Sequence, residues 1–161
     1  MGFSLFKKAK LEIYTPVDGE IIPIGEVPDP VFNQKMIGEG MAVNPTGGDI
    51  TSPVEGTIVQ IAPTKHAIGI QAKDGTEILI HVGLETVALK GEGFKVAVNM
   101  NDKVSVGQKL LEVDWDYIRT HAASTITPVV ITNSHDGDKK FSFTDEKQGV
   151  HGKTIMMTVS K

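Results

Sequence analysis

Short runs rich in Ile and Val recur along the chain, each bounded by residues that favour turns, at a spacing of about ten residues. They fall at 20–25, 40–44, 56–62, 67–73, 77–83, 94–98, 109–113, 128–132, 140–143 and 154–159. Strand side chains point alternately to opposite faces, and the clearest runs follow that alternation. The connections carry turn chemistry: Asp-Gly at 18–19, 74–75 and 136–137, and Gly-Gly at 47–48. The pattern predicts an all-β protein, a sandwich or a barrel. Residues 67–81, AIGIQAKDGTEILIH, read as a hairpin with its turn over 73–76.

Two short surface helices interrupt the strands. In DPVFNQKMIG, Asp29 suits the N-cap, Pro30 the first helical position and Gly38 the stop. In DWDYIRTHA, Asp114 caps a helix from Trp115 to about His121, with Trp115 and Tyr117 as packing residues. The chain also repeats itself: TPVDGEIIPI at 15–24 matches SPVEGTIVQI at 52–61, a shift of 37 residues. Two equivalent corners therefore feed two strands, a duplicated β motif that falls short of the three copies a solenoid needs.

Composition narrows the function. A chain of 161 residues fits one domain that buries roughly 70% of its unfolded surface. The reading is a tail over 1–12 and one domain over 13–161. A formal charge of −4 leaves no electrostatic footprint for nucleic acid. The absence of cysteine excludes disulfides, thiolate metal sites and cysteine nucleophiles. No apolar run reaches the length of a signal peptide's core or a membrane span, so the expected location is cytoplasmic. Phe3, Leu5 and Phe6 with Lys7, Lys8 and Lys10 offer a weak amphipathic membrane contact, set against a disordered or locally packed tail.

Of five histidines, His135 and His151 lie in polar loops and His121 closes a helix. His81 stands apart. Alternation sends Ile78, Ile80 and Val82 to the core and Glu77, Leu79 and His81 outward, and Gly83 leaves space beside the ring. His66, on the other hairpin arm, pairs near His81, although strict alternation would turn it inward with Ile68 and Ile70. Pro63 places it where the strand is only beginning. Two adjacent imidazoles suit two chemistries. Zinc is one, but a stable site takes three or four ligands. Nucleophilic phosphoryl transfer is the other, one neutral ring attacking while the second orients and stabilises charge.

HVGLETVALKGEGF at 81–94, the PVDG and PVEG corners, PDPVF, TKHA and TPVVITN together resemble the glucose-type IIA component of the bacterial phosphoenolpyruvate-dependent sugar phosphotransferase system, from about residue 13 to the end. The resemblance implies an antiparallel β-sandwich and a phosphoryl relay. His81 matches the phosphorylated histidine, attacking through Nε2. His66 matches the second active-site histidine, and Thr64 the threonine that supports the histidine arrangement. The donor would be the phosphocarrier HPr and the acceptor a cysteine on the IIB domain of a membrane sugar permease, with regulatory binding to transporters and metabolic enzymes compatible with the same surface. No cofactor is required by the resemblance, and His66 and His81 could bind a zinc ion adventitiously.

Val31, Phe32, Leu79 and Val87 are expected to form an apolar docking rim, with Glu85 attracting a basic donor surface. Some relatives carry phenylalanines around the pocket; Ala62 and Leu79 make this rim smaller. A zinc peptidase of the lysostaphin type, which resembles this fold, is the competing reading and lacks its H-x-H ligand pair here. The initiator Met and short lead favour a free protein, expected to be a monomer.

Overall fold

The computed structural model describes residues 10–160. In chain order the elements are β1 (Lys10–Tyr14), β2 (Asp18–Pro23), α1 (Pro30–Asn33), β3 (Glu39–Gly47), β4 (Ile50–Thr51), β5 (Gly56–Ile61), β6 (Ala67–Ala72) and β7 (Glu77–His81). There follow β8 (Phe94–Val96), β9 (Lys103–Val104), β10 (Lys109–Val113), α2 (Trp115–His121), β11 (Thr127–Ile131), β12 (Lys140–Phe143), β13 (Gln148–Gly149) and β14 (Ile155–Ser160). Single 3₁₀ turns occupy Ile24–Glu26 and Thr86–Leu89.

One large sheet runs in the order β13-β2-β3-β11-β7-β6-β5-β9, and two small sheets, β1-β14-β12 and β4-β10-β8, complete an antiparallel β-sandwich. The main core takes Ile21, Ile58, Ile70, Ile78, Ile80, Val129 and Ile131 from the large sheet and Ile13, Leu111, Met157 and Val159 from the small ones. Each such side chain removed from water contributes roughly 1.5–3 kcal/mol before chain entropy is counted. Every position of β11 is buried. Val129 and Ile131 join the main core, whereas Val130 faces a second apolar cluster with Ile24, Val27, Phe32, Ala42 and Leu84. That cluster covers the outer face of the sheet where β3, β11 and β7 run side by side.

The sequence repeat is an internal pseudo-twofold. Tyr14 N donates to Pro53 O at 2.9 Å, and Thr51 N returns the bond to Pro16 O at 2.8 Å. Gly19 pairs with Gly149 as Gly56 pairs with Val104. Gly152 N reaches Thr15 O as Gly107 N reaches Ser52 O, each at about 3 Å (3.0 and 2.9 Å).

All ten expected strands are present. The additions are β1, in the stretch read as tail, and the two-residue strands β4, β9 and β13. The tail reading gives way at Lys10, because Leu11 and Ile13 pair with Val159 and Met157. The amphipathic contact through Phe3 to Lys8 lies outside the described residues. Both helices occur, each burying one side chain, Phe32 and Ile118. The caps are as expected: Asp29 accepts from Val31 N at 3.0 Å and Asp114 from Tyr117 N at 3.1 Å. The first helix ends at Asn33, five residues before Gly38. Trp115 and Tyr117 pack against the main core.

Candidate functional site

His81 closes β7. Ile78 and Ile80 are 1% exposed, while Leu79 and His81 project from the opposite face. Across the hairpin Ala67 is the partner of His81, and Val82 N donates to His66 O at 2.7 Å. Immediately after the strand Gly83 adopts φ +75°, and a β-carbon there would lie 2.6 Å from the Thr86 methyl and 2.9 Å from Ser124 O. Glycine is thus dictated by backbone and close packing rather than by space left for an incoming molecule. Its carbonyl lies 2.8 Å from His81 Nδ1. A carbonyl only accepts, so Nδ1 carries the proton and Nε2 keeps its lone pair.

His66 reaches the same place through a turn. Lys65 N donates to Ala62 O at 2.8 Å, Pro63 occupies the second turn position, and Lys65 takes the left-handed φ of 65°. The strand begins only at Ala67, so the pleat does not force the ring inward with Ile68 and Ile70. The two imidazoles meet edge to face, centroids 4.7 Å apart and planes at 78°. Thr64 Oγ1 sits 2.8 Å from His66 Nδ1. With the hydroxyl as donor, His66 presents an Nε2–H.

On the other side of His81 lies the Phe32 ring, 5.0 Å away and tilted by 60°. Helix α1, capped by Asp29, holds it there. Phe32 is only 4% exposed, so its ring supports the histidine from beneath instead of offering surface at a rim, while Leu79 is half-buried against the second cluster. Val31 and Val87 are exposed, at 40% and 57%, and Glu85 is exposed at a left-handed position following His81.

Burial pushes both imidazoles below the ordinary histidine value. For His66 the neighbouring His81 adds to that effect; for His81 the Gly83 bond and the Asp29 carboxylate oppose it. Both shifts favour the neutral rings, the state in which a ring nitrogen is nucleophilic. Asp29 entered the sequence reading only as a cap; its field at His81 was concealed because the two are 52 residues apart. The signal available was that one cap precedes Phe32 by three residues.

The remaining histidines stay apart from this pair. His121 stacks on Tyr117 with centroids 4.0 Å apart, and His135 is exposed. His151 is not merely solvated, since its Nδ1 and backbone N both approach Asp18 Oδ1 at 2.8 Å. Among the described residues no group of three or more His, Cys, Asp or Glu is placed to hold a metal ion, so zinc at His66 and His81 would lack the ligands a stable site takes. A cavity of about 740 Å³ between Leu11, Tyr14, Val106 and Val159 includes neither histidine of the pair.

A β-sandwich displaying two mutually touching imidazoles on an apolar floor defines an all-β histidine-site domain. Residues 11–137 match the family model of the phosphoenolpyruvate-dependent sugar phosphotransferase system, EIIA 1, and the chain belongs to that family. It is 45% identical over 161 residues to the PTS system glucose-specific EIIA component of Staphylococcus aureus (strain MSSA476), covering 97% of this chain and 96% of that protein. It is 53% identical over 121 residues, 75% of this chain, to the PTS system glucose-specific EIICBA component of Staphylococcus carnosus (strain TM300), of whose length it spans 18%. The solved glucose permease IIA from Mycoplasma capricolum superposes with a TM-score of 0.87 at 38% identity, covering 95% of this chain and 97% of that one. Among the described residues no helix is long and apolar enough to cross a membrane.

Proposed function

We propose that this chain is a cytoplasmic phosphocarrier that accepts a phosphoryl group from phospho-HPr on His81 Nε2 and passes it to a cysteine of the IIB domain of a sugar permease. The His81 Nδ1 bond to the Gly83 carbonyl carries the proposal, because it leaves Nε2 as the nucleophilic nitrogen. In the first step the Nε2 lone pair forms a bond to phosphorus while the donor's P–N bond breaks and its electron pair returns to the donor nitrogen. In the second step a cysteine thiolate attacks phosphorus and the pair of the breaking bond returns to Nε2. The His66 Nε2–H, held by Thr64, donates to the phosphoryl oxygens, whose added charge of about −1.5 to −2 needs donors.

Fusion of the same domain to permease components in the Staphylococcus carnosus relative supports a permease as the acceptor. Relatives named for glucose and for glucosides leave a permease of that broad class as the proposed client. Val31 and Val87 supply exposed apolar contact and Glu85 a negative charge for transient docking, and the same face serves regulatory binding to transporters or metabolic enzymes. The proposed steps need no cofactor; a zinc ion held by His66 and His81 would draw its remaining ligands from a partner or solvent.

Reconstitution with phosphoenolpyruvate, enzyme I and HPr, followed by intact mass, tests the proposal. The expected result is one acid-labile phosphoryl group in the wild type and none in His81→Ala. No phosphoryl gain by the wild type would contradict it.

A further inference from the structure

We propose that Thr86 is a positioning residue for His81, acting through the Val82–Gly83 peptide; the assignment rests on the phosphoryl-accepting role given to His81. Thr86 is fully buried, and its Oγ1 donates to Val82 O at 2.7 Å. Its methyl presses on Gly83, where a β-carbon would come within 2.6 Å of Thr86 Cγ2. On another side, Ser124 O approaches that same point to 2.9 Å while accepting from Leu84 N at 3.0 Å. The hydroxyl on the Val82 carbonyl, the methyl against Gly83 and the Ser124 carbonyl on Leu84 N thus fix the two peptides that flank left-handed Gly83, whose own carbonyl accepts the hydrogen bond from His81 Nδ1 at 2.8 Å.

Both ends of this side chain are used, which explains a threonine where valine would match its shape and serine its donor. If the Gly83 carbonyl rotates away, a neutral imidazole distributes its proton over both nitrogens. In the Nε2–H form the lone pair lies on the nitrogen facing away from the donor phosphoryl. Thr86 therefore acts one residue removed from the chemistry, by holding a tautomer.

The test compares Thr86→Val and Thr86→Ala, which lose the donor, with Thr86→Ser, which keeps it. Imidazole ¹⁵N shifts are read on unphosphorylated protein whose folding is checked by urea unfolding. Wild type and Thr86→Ser are expected to show His81 protonated at Nδ1. The donorless variants should show a tautomer mixture and phosphoryl uptake from phospho-HPr slowed by roughly tenfold, the scale of losing an outer-layer partner of a working imidazole. A folded donorless variant that keeps the wild-type tautomer, or a serine variant that behaves like valine, overturns the assignment. Failure of the wild type to take up phosphate would instead strike the proposed function and leave the tautomer comparison decisive for Thr86.

Discussion

The β2–β3 and β5–β6 hairpins start from equivalent corners, yet residues 24–38 join the first pair of strands and only 62–66 the second. The outgoing strands are related by 37 residues, Glu20 with Thr57, and the returning ones by 27, Asn44 with Gln71, so the first connection is ten residues longer. The short connection has room only for a tight turn, and its left-handed Lys65 aims His66 at His81. The long one crosses the outer face of the sheet, builds the second apolar cluster and delivers Phe32 and Asp29 to the same histidine. The lesson is that a symmetric scaffold acquires a single site through unequal connections: one brings a partner for His81, the other its floor.

The largest expected effect comes from removing that floor. Phe32→Ala should lower stability by about 3–5 kcal/mol in urea unfolding, the cost of a buried aromatic and its cavity. A loss well under 1 kcal/mol would mean that the long connection is not anchored through this ring. Next is the contribution of the short connection: His66→Ala should accept phosphate at close to the normal rate but deliver it to IIB about 100-fold more slowly, the scale of deleting one donor to a transition-state oxygen. Normal delivery would remove His66 from the proposed exchange.

Acidification sharpens the same contrast. Both folded imidazoles titrate below 6.5, so as pH falls below that value the unfolded chain gains protons first and stability declines. That decline should shrink in His66→Gln; an unchanged stability profile, or NMR midpoints at or above 6.5, would contradict the buried pair. The smallest effect compares the two corners themselves. Asp18 accepts from His151 twice, whereas its counterpart Glu55 makes only an exposed pair with Lys73 at 2.7 Å. Asp18→Asn should cost up to about 1 kcal/mol and Glu55→Gln leave the urea midpoint unchanged.

The strands were legible because Ile and Val alternate where one sheet face is buried, and both corners were visible as a repeat. Strand β1 was not, since only Leu11 and Ile13 carry its pattern among charged residues and its partner β14 lies at the far end of the chain. In the site, His81 and its hairpin neighbour His66 followed from local register. Thr64 was legible only through the family resemblance, whereas the Gly83 carbonyl and the Thr86 clamp depend on backbone direction at turns, which side-chain patterning does not encode. The reading of Phe32 as rim failed for a related reason: a short connector's apolar residue looks alike whether it faces a partner or folds back onto its own sheet.

The most direct test is the position of the phosphoryl group on ¹⁵N-labelled protein phosphorylated through HPr. The geometry predicts a single phosphorus–nitrogen coupling, at Nε2 of His81, with Nδ1 still bearing its proton toward Gly83. Phosphorus on Nδ1, or on His66, would contradict the account.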